Sequence, residues 1–433
     1  MHTTRYDDPT HGANQLENAI LVGVDWSGST PQLLEEHLAE LRLLAETARV
    51  EVIGQISQRR DRPDASTFIG KGKATSLVNQ AHELDCSLLI FDDDLTPAQQ
   101  KNLQRLAGDE MKIIDRSGLI LDIFARHARS REAKTQVELA QLQYLLPRLT
   151  RQWSHLERQM GGIGTRGGPG EAQIEVDRRL VRTRIKKLKD ELKHIAAERV
   201  VQNLRRKDSF RIALVGYTNS GKSTLMNALT DADVYVKDRL FATLDTTTRR
   251  LRLDSSQNIL LSDTVGFIRK LPHHLIASFR STLSEVSEAD LLLKVVDVSS
   301  PQAEDHFNTI NEVLQSLGLN EKPSIVVLNK LDLISDKGTL KRLQYHWPES
   351  VVISARQRLR LDQLEEAILK AFSREFEEYK IEIPAGKSKL ISTVYDILEV
   401  KERSFEGDMT VLTVRGPKEA IESVLERITN IEP

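Results

Sequence analysis

Arg211-Ile-Ala-Leu-Val215 runs straight into Gly216-Tyr-Thr-Asn-Ser-Gly221-Lys222-Ser223 and then into the helical pattern Thr224-Leu-Met-Asn-Ala-Leu229. A short apolar run predicts a buried strand, and the glycines that follow allow a tight loop whose backbone amides face inward. Gly-x4-Gly-Lys-Ser between a strand and a helix is the P-loop pattern in its required setting. The amides of Gly216, Tyr217, Thr218, Asn219, Ser220 and Gly221 wrap phosphates, Lys222 reaches β/γ oxygens, and the Ser223 hydroxyl ligates Mg²⁺ at a helix N-terminus. Working outward, strands and helices alternate from Phe210 to about Phe372, which predicts a Ras-like α/β domain over 208–373.

Three further boxes follow in the order that guanine recognition needs. Asp263-Thr264-Val265-Gly266 follows the strand Ile259-Leu-Leu-Ser262, placing a carboxylate to hold magnesium through water and the Gly266 amide to sense a γ-phosphate. Asn329-Lys330-Leu331-Asp332 ends the strand Ser324-Ile-Val-Val-Leu328. The Asp332 carboxylate can accept from guanine N1–H and from the exocyclic amine, a pair adenine does not offer, while Lys330 covers the base. Ser354-Ala355-Arg356, after Val351-Val-Ile353, would present a backbone amide to the guanine oxygen. Alone, Asn-Lys-x-Asp reads as an ordinary charged turn; after a P-loop it reads as guanine-nucleotide (GTP/GDP) binding.

Between the P-loop and Asp263 lies Phe241-Ala242-Thr243-Leu244-Asp245-Thr-Thr-Thr248, where a switch loop should bring a threonine hydroxyl to Mg²⁺. Thr243, Thr246, Thr247 and Thr248 compete for that role on spacing alone. Ras-like enzymes place a water-orienting Gln directly after the glycine of the Asp-x-x-Gly box, but Phe267 stands there and cannot polarise water. The catalytic group is therefore unassigned, slow intrinsic hydrolysis is expected, and something else must complete the site.

The whole chain has 433 residues with 61 Lys+Arg against 63 Asp+Glu, a net charge of −2. That average hides an asymmetry. Residues 126–207 carry 20 basic and 9 acidic side chains, and the remainder carries 41 against 54. Within the basic segment Ile174, Val181, Leu188 and Ile195 recur every seven residues, with Ile185 and Leu192 between them, which predicts one long helix with a coiled-coil seam. Val137, Ala140, Tyr144 and Leu145 form a compatible stripe on a preceding helix that should break at Pro147. Between them, Met160-Gly-Gly-Ile-Gly-Thr-Arg-Gly-Gly-Pro-Gly-Glu171 holds glycines expected to be non-helical, a tip over 161–170. Such a hairpin is either a spacer or a projecting arm whose basic flanks grip phosphate.

Alternating strands and helices over 1–125 predict a parallel α/β N-terminal domain, and 374–433 reads as a small α+β unit with Pro417 opening its last helix. The fold class is therefore multidomain α/β, with a long helical hairpin between two α/β domains. Gly70-Lys-Gly-Lys73 opens a helix where amides could hold an anion, either a nucleotide or RNA phosphate. The single Cys86 sits in an apolar run, and the absence of a leader pattern or an 18-residue apolar run predicts a cytoplasmic chain without a transmembrane segment, compatible with peripheral membrane association.

The P-loop, the Phe-Ala-Thr-Leu-Asp switch, Asp-Thr-Val-Gly-Phe and the upstream glycine-rich arm together resemble the HflX family of Obg-related GTPases, over nearly the whole chain from about Asn18. That resemblance implies a GTPase that binds the large ribosomal subunit near the peptidyl-transferase centre, dissociates stalled or idle ribosomes under stress in its GTP state, and is stimulated by the ribosome. It implies Thr243 as the switch ligand of Mg²⁺ beside Ser223, and for some members ATP binding through the N-terminal part. Asn219 stands where several related GTPases help hold K⁺ against the phosphates, P-loop hydrogen bonding being its alternative role. The alternative function is a non-ribosomal regulatory GTPase whose arm is a protein-docking coiled coil.

Overall fold

The computed structural model describes residues 17–26, 31–149, 170–204, 209–230, 240–241, 246–253, 259–270, 284–334, 337–384 and 386–429. The glycine tip at 161–169, switch residues Ala242, Thr243, Leu244 and Asp245, and the segment before Glu17 lie outside them.

The first sheet joins β1 (Glu17–Trp26), β2 (Val50–Arg60), β3 (Leu88–Phe91) and β4 (Lys112–Asp115), all parallel, in the order β2-β1-β3-β4. β3 is Leu-Leu-Ile-Phe and buried throughout, as a central strand covered by helices on both faces must be. α1 (Pro31–Thr47) connects β1 to β2, and α2 (Lys71–Glu83) returns the chain to β3 on the other side of β1. α3 (Pro97–Ala107) starts on a complete capping box between Thr96 and Gln99. α4 (Arg116–His127) is capped by Asp115 and buried on nearly every side of its first three turns.

α5 (Arg131–Leu145) has two apolar faces. The stripe expected to meet the long helix does not do so: Val137, Ala140 and Tyr144 pack into the core of the first sheet with Leu41, Leu44 and Ile120. Leu139 and Leu142, on the opposite side, pack with Leu149 against Val181 and Leu188 of α6 (Gly170–Leu204), with Ile185 and Leu192 beside them. At 100° per residue, positions 137, 140 and 144 share one side and 139 and 142 the other, so α5 is the shared wall between core and arm. The helix ends before Pro147 in a 3-10 turn, Leu146–Arg148. Gly170 is helical, against expectation; as the first residue of α6 it avoids most of the cost of an interior glycine.

The second sheet runs β10-β9-β8-β5-β7-β6, from β5 (Phe210–Gly216), β6 (Thr247–Leu251), β7 (Ile259–Asp263), β8 (Leu291–Asp297), β9 (Ser324–Asn329) and β10 (Val351–Val352). Among the described strands of this sheet, only β6 is antiparallel to its neighbour. α7 (Lys222–Thr230), α8 (Ser284–Glu288), α9 (Ala303–Ser316), α10 (Lys337–His346) and α11 (Leu361–Glu375) complete this unit among the described residues. The last unit pairs β11 (Phe376–Pro384), β13 (Met409–Pro417) and β12 (Glu399–Glu406) antiparallel in that order, with α12 (Ser388–Ile397) and α13 (Lys418–Thr429) packed over Ile381, Leu412 and Val414. Pro417 closes β13 rather than opening α13, which starts one residue later.

Candidate functional site

β5 delivers the loop 216–223 at its carboxyl end, beside β8 and β7. A Cβ on Gly216 would lie 2.5 Å from the Val295 carbonyl oxygen, and one on Gly221, whose φ is +93°, would lie 2.3 Å from Asn329 Nδ2. Both positions need glycine. Lys222 is buried, with Nζ donating to the carbonyls of Gly216 (3.1 Å) and Tyr217 (2.8 Å). Burial lowers its pKa to about 8 against the raising effect of Asp263, and a bound polyphosphate would favour the charged form that burial disfavours. Ser223 Oγ donates to Asp263 Oδ2 at 2.6 Å. Hydroxyl and carboxylate oxygens at this separation are hard donors that suit Mg²⁺, which supplies Lewis-acid neutralisation of phosphate charge when bound.

Beside the far side of this loop, the Asn329 side chain ties three segments together: Nδ2 donates to the Ser220 carbonyl (2.9 Å) and Oδ1 accepts from the Ala355 amide (3.0 Å). Lys330 is left-handed, φ 68°, and its Nζ meets Asp297 at 2.7 Å. Asp332 accepts from the Ser354 hydroxyl, which in turn accepts from the Gln357 amide. Leu331 and Asp332 lie in a short 3-10 turn, and Arg356 is exposed. The fold thus gathers Asn329, Lys330, Asp332, Ser354 and Ala355 beside Ser220 and Gly221. Asn219 has φ 60° at the tip of the loop.

The Asp-x-x-Gly loop lies directly on the P-loop. Thr218 N–H donates to the Phe267 carbonyl (2.7 Å) and Phe267 N–H to the Gly216 carbonyl (3.0 Å), while Thr264 Oγ1 donates to the Leu214 carbonyl (2.6 Å). A Cβ on Gly266 would lie 2.9 Å from Thr218 Cα and 3.0 Å from Lys222 Nζ. The Phe267 ring is turned into the core with Ala213, Val215 and Val286. Thr247 and Thr248 belong to β6, where the Thr248 hydroxyl bonds that of Ser262 (2.9 Å).

Sequence patterns did not reveal how the N-terminal unit meets this site. Tyr217, Leu240, Phe241, Val265 and Ile268 are part of the first sheet's hydrophobic core, and Phe241 stands edge-on to Phe124 with centroids 4.6 Å apart. Tyr217 Oη accepts from the Arg269 amide (2.9 Å) and donates to Glu40, and its ring stacks on His306 at 3.8 Å. Arg116, fully buried, pairs with Glu40 and, at 2.6 Å, with Asp92. Lys270 Nζ donates to Asp92 (2.6 Å) and to Asp93. Burial lowers the Arg116 pKa to about 9 and raises that of Asp92, the latter opposed chiefly by Lys270. The signal available in sequence was the polar run Asp92-Asp93-Asp94 directly after a buried strand, which no motif explained.

A Ras-like sheet, a P-loop, an Asp-x-x-Gly loop and an Asn-Lys-x-Asp box converging at one edge define a P-loop GTPase. Family profiles described as GTP-binding GTPase N-terminal, GTP-binding GTPase Middle Region and 50S ribosome-binding GTPase match residues 35–125, 127–206 and 211–330. GTPase HflX of Caldanaerobacter subterraneus subsp. tengcongensis is 44% identical over 96% of this chain and 94% of its own. GTPase HflX of Flavobacterium psychrophilum is 51% identical over 73% of this chain and 76% of its own. The chain belongs to the HflX family of GTPases. Among solved structures, a GTP-binding protein from Sulfolobus solfataricus in complex with GDP aligns at 26% identity and TM-score 0.43, covering 83% of this chain and 99% of that one. No helix among the described residues is long and apolar enough to cross a membrane.

Proposed function

We propose that this GTPase acts on the large ribosomal subunit, splitting stalled or idle ribosomes in its GTP state under stress and resetting on hydrolysis. The observation that carries this reading is the arm. α6 buries Val181 and Leu188 against α5 and turns Arg179, Arg182, Lys186 and Lys189 outward, at alternating spacings of three and four. That spacing lines four cations along one helix face over about 15 Å, a row suited to a phosphate backbone and poorly suited to a protein coiled coil. From Val181 to Leu192 the seam a coiled-coil partner would need is already filled by α5. The matching profile over 211–330, described as 50S ribosome-binding, supports the same partner.

In this reading GTP is held by residues 216–223, by the 241–245 switch and by Asp263 to Gly266, with guanine read by Asn329 to Asp332 and Ser354 to Arg356. Ser223 and Thr243 would ligate Mg²⁺, and Asn219 would help hold K⁺, which predicts faster hydrolysis in K⁺ than in Na⁺ and loss of that difference in Asn219→Ala. ATP or an RNA phosphate at Gly70 to Lys73 is tested by ATP competition with the P-loop saturated by GDP. The deciding experiment is cosedimentation with 50S subunits across a salt series. Binding with a non-hydrolysable GTP analogue that weakens steeply with salt is expected, and absent or GDP-equal binding sinks the proposal.

A further inference from the structure

The order β2-β1-β3-β4, with α1 and α2 leaving on opposite sides, puts a topological switch point between β1 and β3, where doubly wound folds hold a ligand outside the carboxyl ends of their strands. Here that crevice is entered by the chain's own Lys270. Asp92 directly follows β3, its amide bonded to the Val22 carbonyl of β1 (2.9 Å), and Asp92 and Asp93 both accept from Lys270 Nζ. Lys270 lies four residues after Gly266, so the crevice anchors the segment that must answer to a γ-phosphate.

We propose that Lys270 is a positioning residue that sets the protein's preference for GDP over GTP, by holding the 263–270 loop in the space a γ-phosphate requires. A γ-phosphate must sit between the P-loop lysine and the Asp-x-x-Gly amide. In this arrangement a single added carbon on Gly266 would already lie 2.9 Å from Thr218 Cα, a backbone atom that cannot swing aside as the Lys222 side chain can, and the Thr218 amide is taken by the Phe267 carbonyl. Admitting a phosphoryl group requires the loop to lift. Lifting draws Lys270 off two carboxylates, the Arg269 amide off Tyr217 Oη, and Ile268 out of an apolar core in which it is fully buried. Of these contacts, those of Lys270 and Ile268 are made to the N-terminal unit, and through them that unit is linked to nucleotide choice by reciprocity. GDP makes no demand on that space and is indifferent to them. The inference rests on the guanine-nucleotide reading of the P-loop and is independent of the ribosomal one.

The test uses the full chain and fluorescent GDP and non-hydrolysable GTP analogues. Lys270→Ala should tighten the GTP analogue by roughly fivefold or more, the low end of ordinary coupling, with GDP affinity unchanged. Lys270→Arg, which keeps a cation on Asp92 and Asp93, should retain the native ratio. Asp93→Asn, at the more accessible end of the same pair, should shift it in the direction of Lys270→Ala. An unchanged ratio in Lys270→Ala and Asp93→Asn overturns the proposal, as does an equal shift for both nucleotides. If the native chain bound no guanine nucleotide, the site itself would be overturned and the inference with it.

Discussion

Asp332 is half-buried and holds a hydrogen bond from Ser354, so its carboxylate is already oriented by the fold. Asp332→Asn keeps the shape and replaces one acceptor by a donor, which opposes the guanine N1–H and amine. GTP affinity should fall by at least about tenfold, and xanthine nucleotides should compete better than against the native chain; nucleotide competition assays measure both. Phe267 invites a substitution to the Gln found in Ras-like enzymes. Its ring points into the core rather than toward nucleotide, so Phe267→Gln buries an amide without partners. It should cost about 1–3 kcal/mol in a urea melt and leave intrinsic GTP turnover no faster. At this scale the boxes were legible because phosphate and guanine dictate residue type at short spacing. Phe267's direction was not, because it depends on β5 and α8 packing around it.

The root of the arm is the element most exposed to a single change. Asp115, fully buried at the end of β4, accepts from the Leu95 and Gly118 amides, Tyr144 Oη and Arg148, and Arg148 also stacks on Tyr144 at 3.8 Å. Asp115→Asn leaves the Arg148 charge uncompensated and should destabilise the chain by roughly 3 kcal/mol, read from denaturant midpoints. Between α1 and α9, burial and then the charges of Arg269, Lys270 and Arg116 hold His37 down to about 3, and burial holds His306 down to about 4. Both stay neutral when folded but take up protons near 6.5 when unfolded. Stability contributed by these contacts is complete above pH 6.5 and is lost as pH falls toward 4. A His37→Gln, His306→Gln double variant should lose less stability between pH 7.5 and 5 than the native chain in paired urea melts. The helices and strands themselves were readable from periodicity. Which face of α5 met which neighbour was not, since both faces are apolar and only the placement of the sheet and α6 distinguishes them.

Across the whole molecule, a near-neutral chain carries its excess positive charge in one segment, whose described part is chiefly a 35-residue helix and α5, which braces it. Replacing Gly161, Gly162, Gly167 and Gly168 together should leave GTP affinity unchanged and impair ribosome splitting, compared by nucleotide titration and by sucrose-gradient profiles. Unimpaired splitting would remove the tip from the proposed mechanism. By itself the amino-acid sequence determined the GTPase chemistry, the presence of a basic arm and the α/β character of two units, because each is encoded in local spacing or in charge summed along a segment. Only the tertiary structure decided that Tyr217, Phe241 and Ile268 of the nucleotide-binding unit complete the N-terminal core, and that Lys270 is seated on Asp92 and Asp93. Lys270 and Asp92 stand 178 positions apart, and no periodic or motif rule relates residues whose contact arises from docking one folded unit on another.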